Sequence, residues 1–220
     1  MKKSVFPDFT TAVAGVRPDQ PVLIAGCTAS GKSALALQIA AEQGGVVVNA
    51  DAMQVYDNWS VLTARPPAQD LAEAPHVLYG HVDKRTPYSV GDWLRDITPI
   101  VNGPERPIIV GGTGLFFRAL TEGLVDIPPI PDDIRTDNRT ILADHGIGHL
   151  IKDLDAETLS SIDTHNPARV GRAWEVQKAT GRSILQWQAM TPPPLLPLTD
   201  SFPIHLDADP AWLEERIARR

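Results

Sequence analysis

Short apolar runs and longer amphipathic stretches alternate along most of the chain. Five of the apolar runs are predicted strands, and those at 45–50 and 106–112 are rich in β-branched residues and lack strict alternation, which is the pattern of strands covered on both faces. We predict strands at 21–26, 45–50, 77–82, 106–112 and 202–207. Helical periodicity between them predicts helices over 32–43, 88–101 and 114–122. This order indicates an α/β fold with a parallel sheet flanked by helices.

Two proline-rich stretches, 125–135 and 191–201, interrupt that order. Between them the pattern is helical, and we predict helices at 132–144, 147–153, 155–162 and 167–180. Asn166 suits the N-cap of the last of these, Pro167 its first position and Gly181 its end.

The predicted domains are a core over 20–128 and 202–220, an all-helical insertion domain over 129–201 and a flexible lead-in over 1–19. The chain ends on "AWLEERIARR", an amphipathic helix without a stop signal. We therefore expect the domain to continue past Arg220.

Composition narrows the function classes. Of the 220 residues, 43% are hydrophobic and 21% charged, and only one is cysteine, which suits a reducing compartment. Neither a signal peptide nor a run of about 18 apolar residues is present, so we expect a cytoplasmic protein without a membrane partner. The net charge of −7 argues against nucleic-acid binding by the whole surface and favours small-molecule substrates.

The segment 26–33 is the strongest chemical signal. It reads Gly26-Cys27-Thr28-Ala29-Ser30-Gly31-Lys32-Ser33 and fits G-x-x-x-x-G-K-[ST] between a predicted strand and a helix. Its backbone N–H groups, the helix N-terminus and Lys32 can cradle a polyphosphate, and the Ser33 hydroxyl can bind Mg²⁺. The motif predicts a P-loop-type core. ATP is the usual ligand of such a loop, but the motif does not specify which polyphosphate is bound.

Two nucleotide-hydrolase features that the sequence lacks, and one carboxylate that it contains, narrow the choice of ligand and reaction. Gly111-Gly112-Thr113-Gly114 follows the strand after which a nucleotide hydrolase would place an acidic residue, and the chain lacks an N-K-x-D motif. Asp51 lies just past the second strand, at the sheet edge that faces ligands in open α/β sheets. It suits a Mg²⁺ partner, a general base or an ordinary turn residue.

Six segments together resemble one family. They are "CTASGKSALAL", "AMQVY", "TARP", "PYSVGDWLRD", "VGGTGLFFRAL" and "DTHNPARVGRAWEVQKATGRSI". Their sequences and their order are similar to those of the bacterial tRNA dimethylallyltransferases, over about residues 21 to 215. Members of the family continue well beyond the length of this chain.

The resemblance implies a reaction. The loop would hold the diphosphate of dimethylallyl diphosphate, and the acceptor would be the exocyclic amine of the adenosine 3′ of the anticodon, in tRNAs that read U-initial codons. Asp51 matches the general base. Lys32 and Mg²⁺ at Ser33 would neutralise the leaving diphosphate. Thr113 and Arg135 match positions that contact the reacting nucleotide and the diphosphate.

The resemblance also implies contacts with a tRNA anticodon stem-loop, made by a monomer. The target base must leave its stack, and Gln54 could pair with adenine through its amide. The matching tRNA contacts are Asp51, Ala52, Met53, Gln54, Thr113, Arg135, Ala168, Arg169, Val170, Gly171 and Arg172. Arg169 and Arg172 are three residues apart and share a helix face. They supply local positive charge, whereas we expect His165 to be structural or solvent-facing and Trp174 to be in the core.

Three positions depart from the family pattern. Cys27 replaces a proline that fixes the loop backbone, Ala52 replaces a serine and Ala168 a glutamine. Three alternatives stay open. They are a small-molecule P-loop kinase, which shares the loop and the parallel sheet; a relative that prenylates free adenine nucleotides, against which the basic insertion favours tRNA; and an inactive tRNA-binding relative.

Overall fold

A five-stranded parallel sheet forms the centre of the first of two compact units. The computed structural model describes residue 13 and residues 15–218. The first unit comprises the chain up to Gly123 and from Pro194 onward, and the second is Leu124–Pro193. The strands are β1 (Val22–Gly26), β2 (Val46–Asn49), β3 (His76–Val77), β4 (Pro107–Gly111) and β5 (Phe202–Leu206). They lie in the order β3-β2-β4-β1-β5, and every pair is parallel, which confirms the predicted fold class.

Helices of the first unit connect the strands. They are α1 (Lys32–Gln43), α2 (Ala68–Glu73), α3 (Val90–Val101), α4 (Gly114–Glu122) and, later in the chain, a helix at Pro210–Ala218. Alternate residues of β1 pack into two separate apolar clusters. Ile24 lies with Leu35 and Ile39 of α1, whereas Leu23 lies with Trp93 of α3. Because both faces of the strand are buried, its sequence is apolar throughout.

The predicted strand 77–82 is wrong over most of its length, since β3 contains only His76 and Val77. Leu78 and Gly80 have φ of +63° and +58°, which no strand accommodates. The Gly80 N–H instead donates to the Gln54 carbonyl at 2.9 Å, and Val82 makes an isolated bridge with Tyr56.

The second unit is all helical. Its helices are α5 (Asp132–His145), α6 (Ile147–Ile151), α7 (Ala156–Ser161), α8 (Pro167–Thr180) and α9 (Ile184–Gln188). Trp174 is buried in its core beside Leu150 and Val170, as predicted. Asn166 caps α8 by accepting hydrogen bonds from the N–H groups of Ala168 and Arg169, and Gly181 ends it at φ +68°. The boundaries of this unit are several residues N-terminal to the predicted 129 and 201.

Two helices and one packed segment were not predicted. The sequence pattern missed α2 and α9, which are six and five residues long. Within the predicted lead-in, Val13 and Val16 are buried in the core, so this part is packed rather than loose. Residues 1–12 and 14 of the predicted lead-in, and residues 219–220 of the predicted last helix, lie outside the described residues. The last helix, α10 (Pro210–Ala218), agrees with the amphipathic pattern.

Candidate active site

The loop between β1 and α1 has the backbone of an anion-binding nest. Ala29 and Gly31 have positive φ, at +65° and +97°, so the chain folds back ahead of the helix N-terminus. The first-turn N–H groups of α1 have no carbonyl within the helix to bind. At Gly26 a Cβ would lie 2.5 Å from the Leu206 carbonyl oxygen, so this position requires glycine.

Lys32 is held by the loop that precedes it. Its Nζ donates to the carbonyl oxygens of Gly26 at 2.8 Å and Cys27 at 2.5 Å. Ser33, the next residue, is exposed, whereas Ser30 is buried. The ammonium group and the Ser33 hydroxyl therefore both lie at the start of α1, where the backbone is also electropositive.

Asp51 is fixed by hydrogen bonds at the carboxyl end of β2. Its N–H donates to Asn49 Oδ1 at 2.9 Å, and its own Oδ1 accepts from the Met53 N–H at 2.9 Å. Thr113, from the end of β4, accepts a hydrogen bond at Oγ1 from the Ala52 N–H at 2.9 Å. The turn that carries the carboxylate is thus tied to the neighbouring strand.

One cavity of about 650 Å³ joins the phosphate loop to Asp51. Its lining residues are Thr28, Ala29, Ser30, Gly31, Lys32, Ser33, Ala34, Leu37, Asp51, Gln54, Thr63, Ala64, Asp70, Tyr79, Val110, Gly111 and Arg216. Among the predicted site residues of this unit, Gly26, Cys27, Ala52, Met53 and Thr113 are not in the lining. The carbonyl oxygens of Gly26 and Cys27 accept hydrogen bonds from Lys32 Nζ, and the Thr113 hydroxyl supports the turn at Asp51.

Gln54 reaches the cavity but is engaged within the protein. Its Nε2 donates to the carbonyls of Thr63 at 2.9 Å and Ala64 at 3.3 Å. Both amide protons are used in this conformation, so the predicted bidentate pairing with adenine is not available here. Oε1 remains as an acceptor, and the side chain fixes the wall formed by residues 63 and 64.

Three lining residues with titratable side chains were not predicted. Tyr79 lies on the cavity wall, where burial and the negative charge of Asp51 raise the pKa of its hydroxyl. Asp70 comes from α2, and burial and the nearby Glu73 raise the pKa of its carboxyl. Arg216 of α10 donates from Nε to the Ala29 carbonyl at 2.9 Å and stacks over Trp212. The one available signal was for Arg216, because the helix that carries it follows the carboxyl end of a strand.

The remaining predicted residues belong to the second unit. Arg135 on α5 and Ala168, Arg169 and Arg172 on α8 are exposed. Burial, and then the nearby Arg135, lower the pKa of Arg172 against an opposing effect of Glu175.

Two residues of the predicted tRNA-contact set on α8 are wrong as side-chain contacts. Val170 is fully buried in the core of the unit. Gly171 is also buried, and a Cβ built there would lie 2.8 Å from Asn138 Nδ2. Helical periodicity turns both away from the face that carries Arg169 and Arg172.

Comparison with known proteins identifies the class. The model of a family described as IPP transferase matches residues 54–220, and one described as Isopentenyl transferase matches residues 20–83. The chain belongs to the IPP transferase family, which confirms the resemblance seen in its motifs.

Particular relatives agree with this. The chain is 57% identical over 217 residues to the tRNA dimethylallyltransferase of Dinoroseobacter shibae, covering 97% of this chain and 71% of that one. It is 55% identical over 202 residues to that of Cereibacter sphaeroides, covering 92% and 64%. The chain therefore spans about two thirds of the length of these relatives. Among solved structures, a eukaryotic dimethylallyltransferase acting on tRNA matches with a TM-score of 0.70 and 25% identity, covering 90% of this chain and 53% of that one.

Proposed function

We propose that this chain transfers a dimethylallyl group from dimethylallyl diphosphate to the exocyclic amine of the adenosine 3′ of the anticodon, in tRNAs that read U-initial codons. The observation that carries the proposal is the single cavity that exposes both the phosphate loop and Asp51. A diphosphate on the loop would place its attached carbon in the same space as a carboxylate. The matched relatives are named tRNA dimethylallyltransferases, which supports transfer of a dimethylallyl group and a tRNA acceptor.

The donor diphosphate would bind at the N-terminus of α1. Backbone N–H groups of the nest, the Lys32 ammonium and the positive end of the helix all favour an anion there. Arg216, held against Ala29, adds positive charge to the cavity wall. These groups become most valuable as negative charge accumulates on the departing diphosphate.

Mg²⁺ fits this site on the chemistry of its donors. Ser33 is exposed at the cavity, and its hydroxyl has no hydrogen-bond partner among the described residues. The described residues contain no cluster of three or more His, Cys, Asp or Glu that could bind a metal alone. A ligand set of one hydroxyl and the oxygens of a bound diphosphate is typical of Mg²⁺. The ion would supply charge neutralisation to the leaving group.

Asp51 would act as the general base. Met53 N–H fixes Oδ1, and Oδ2 accepts no hydrogen bond from the described residues. The exocyclic amine is a poor nucleophile because its lone pair is delocalised into the ring. As the new C–N bond forms and the allylic C–O bond breaks, the amine proton moves to the carboxylate and the bonding electrons leave with the diphosphate.

The tRNA would be held by the second unit as well. The net charge of −7 makes general attraction to RNA unfavourable, so binding requires local positive surfaces. Arg135, Arg169 and Arg172 are exposed on two helices of that unit. We assign them to phosphate contacts of the anticodon stem-loop, which position the RNA without reading its sequence.

We also propose that the protein is a cytoplasmic monomer. The single cysteine suits a reducing compartment, and tRNA is the substrate of its named relatives. No helix in the described part of the chain has both the length and the hydrophobicity that a bilayer crossing requires.

A transfer assay tests the function. Purified chain is mixed with unmodified tRNA, dimethylallyl diphosphate and Mg²⁺, and digested tRNA is examined by mass spectrometry for dimethylallyl-adenosine. Asp51→Asn keeps an oxygen for the Met53 N–H but removes the base, so we expect the rate to fall at least about 100-fold. Thermal stabilisation by inorganic pyrophosphate should be unchanged in this variant and abolished in Lys32→Ala.

Other outcomes would support the alternatives. Pyrophosphate stabilisation and tRNA binding without any transfer by the unmodified chain would favour an inactive tRNA-binding relative. Prenylation of free adenine nucleotides but not of tRNA would assign the chain to the second alternative. Phosphoryl transfer from ATP in place of prenyl transfer would favour a kinase.

A further inference from the structure

Three large apolar side chains project from the loop that forms part of the cavity wall. Trp59, Val61 and Leu62 expose 63%, 89% and 78% of their surfaces, and we name them the apolar tip. Contiguous exposed apolar groups on a soluble domain mark an interaction site more often than isolated ones do. The tip belongs to the first unit and is not explained by the chemistry at Asp51.

Hydrogen bonds give the apolar tip a defined backbone conformation. Trp59 has a φ of +53°, a conformation that is uncommon for a bulky residue. Its carbonyl accepts two hydrogen bonds from Thr63, from the N–H at 2.9 Å and from Oγ1 at 3.0 Å. The Ser60 carbonyl accepts from the Arg65 N–H at 2.9 Å. Two backbone hydrogen bonds and one from the Thr63 hydroxyl therefore hold the turn, while the three apolar side chains are exposed.

The base of the loop connects the tip to the cavity. Leu62 immediately precedes Thr63 and Ala64, which line the cavity and are gripped by the Gln54 amide. Arg65 donates from Nη1 to the Tyr56 carbonyl at 3.0 Å and closes the loop. The exposed indole is thus four residues along the chain from the cavity wall.

We propose that Trp59 is a stacking platform for a nucleobase next to the reacting adenosine. This inference rests on the proposed function. Extruding one base removes a stacking partner from its neighbours, and an aromatic ring beside the cavity can replace it. Residues 58–62 carry no charged side chain, so a contact there suits the face of a base rather than a phosphate. Val61 and Leu62 add two more exposed apolar side chains to the same short loop.

Binding of an anticodon stem-loop RNA tests the platform. Trp59→Ala should weaken binding about 10-fold or more, the range expected for one base stacked on an aromatic side chain, and Trp59→Phe should retain most of the affinity. Trp59→Gly should lose affinity to the same degree without loss of thermal stability, because glycine adopts a positive φ freely. Leu198→Ala, another exposed apolar residue of this unit, is the matched control and should bind as the unmodified chain does.

Stem-loops with an abasic site separate stacking from a general effect. Where the base 5′ or 3′ of the target adenosine is removed, the Trp59→Ala change should cost nothing further for one of the two RNAs. An equal cost on all RNAs, or no cost on the intact one, would overturn the platform. So would sedimentation that shows the unmodified chain as a dimer and Trp59→Ala as a monomer, since the tip would then join two copies. Absence of both RNA binding and transfer in the unmodified chain would instead overturn the proposed function.

Discussion

The Thr113 hydroxyl accepts a hydrogen bond from the Ala52 N–H at 2.9 Å, although 61 residues separate them. Thr113 is the N-cap residue of α4, yet its side chain makes no cap hydrogen bond to that helix. The hydroxyl instead supports the turn after β2, and the Thr113 N–H adds a bond to the Ala50 carbonyl at 3.2 Å. Thr113 is therefore placed to set the position of Asp51.

Thr113→Val should reduce transfer without abolishing the fold. Valine keeps the shape of threonine but leaves the Ala52 N–H unsatisfied, at a cost of about 1–3 kcal/mol. We expect kcat to fall about 10-fold or more, with little change in the KM for dimethylallyl diphosphate. Thr113→Ser retains the hydroxyl and should keep near-normal kcat in steady-state assays. A kcat in Thr113→Val equal to that of the unmodified chain would show that the hydroxyl does not position the base.

Gly111→Ala should destabilise the first unit. A Cβ there would lie 2.0 Å from the Ala50 carbonyl oxygen, so β2 and β4 would have to separate at their carboxyl ends. We expect a loss of about 1–3 kcal/mol or more in urea unfolding. Gly112→Ala is the matched control, because a Cβ at Gly112 would lie no closer than 3.7 Å to a neighbouring atom, the Gly26 carbonyl oxygen. Equal unfolding midpoints for the two variants would contradict this account.

Acid should weaken the second unit through Asp155. This residue caps α7, with Oδ1 accepting from the Thr158 N–H at 2.8 Å and Oδ2 from the Thr158 hydroxyl at 2.7 Å. These hydrogen bonds lower the pKa of Asp155 below its ordinary value of 3.8. Its stabilisation is therefore complete above that value and is lost as pH falls through the lower, folded-state pKa.

The measurement is thermal melting as a function of pH below about 5. Asp155→Asn retains a capping oxygen but cannot ionise, so its melting temperature should fall less steeply with acid than that of the unmodified chain. Asp155→Ala removes the cap and should cost about 1 kcal/mol at neutral pH. Parallel acid profiles for the unmodified chain and Asp155→Asn would exclude Asp155 as a source of the acid sensitivity.

Charge removal on α8 should change the salt dependence of tRNA binding. Arg169→Ala and Arg172→Ala should each remove one phosphate contact and so reduce the slope of log affinity against log salt by about 1. Arg118, which is exposed on α4 and paired with Glu122, provides a control in Arg118→Ala. A slope that stays constant in both α8 variants would remove them from the RNA contact surface.

Local signals explain which parts of the fold were predictable. The bounds of α1, α4 and α8 agree with the prediction because a phosphate loop, glycines and an Asn-Pro pair mark their ends. The apolar segment 77–82 has the pattern of a strand, but the backbone turns at Gly80, whose N–H donates to the Gln54 carbonyl. That contact is tertiary, and no local pattern encodes it. Strand order is likewise a property of the packed sheet.

The candidate site likewise contains residues that local motifs mark and residues that only the tertiary structure brings in. The phosphate loop and Asp51 are marked by motifs or strand ends, and they share one cavity. Tyr79 and Asp70 enter it through the irregular chain around β3 and through a six-residue helix. The tRNA-contact set carried over for α8 included Val170 and Gly171 because a motif is contiguous, whereas a helix exposes only some of its residues.

The position of β1 within the sheet has a consequence for synthesis on the ribosome. β1 pairs with β5 from Val22↔Phe202 to Gly26↔Leu206, and the second unit is encoded between these two strands. The second unit is continuous in sequence and can form its core as soon as it emerges. The sheet cannot be completed until Leu206 follows, and the Arg216 contact with Ala29 comes later still. A nascent chain thus leaves one edge of β1 without its neighbouring strand throughout translation of the helical unit.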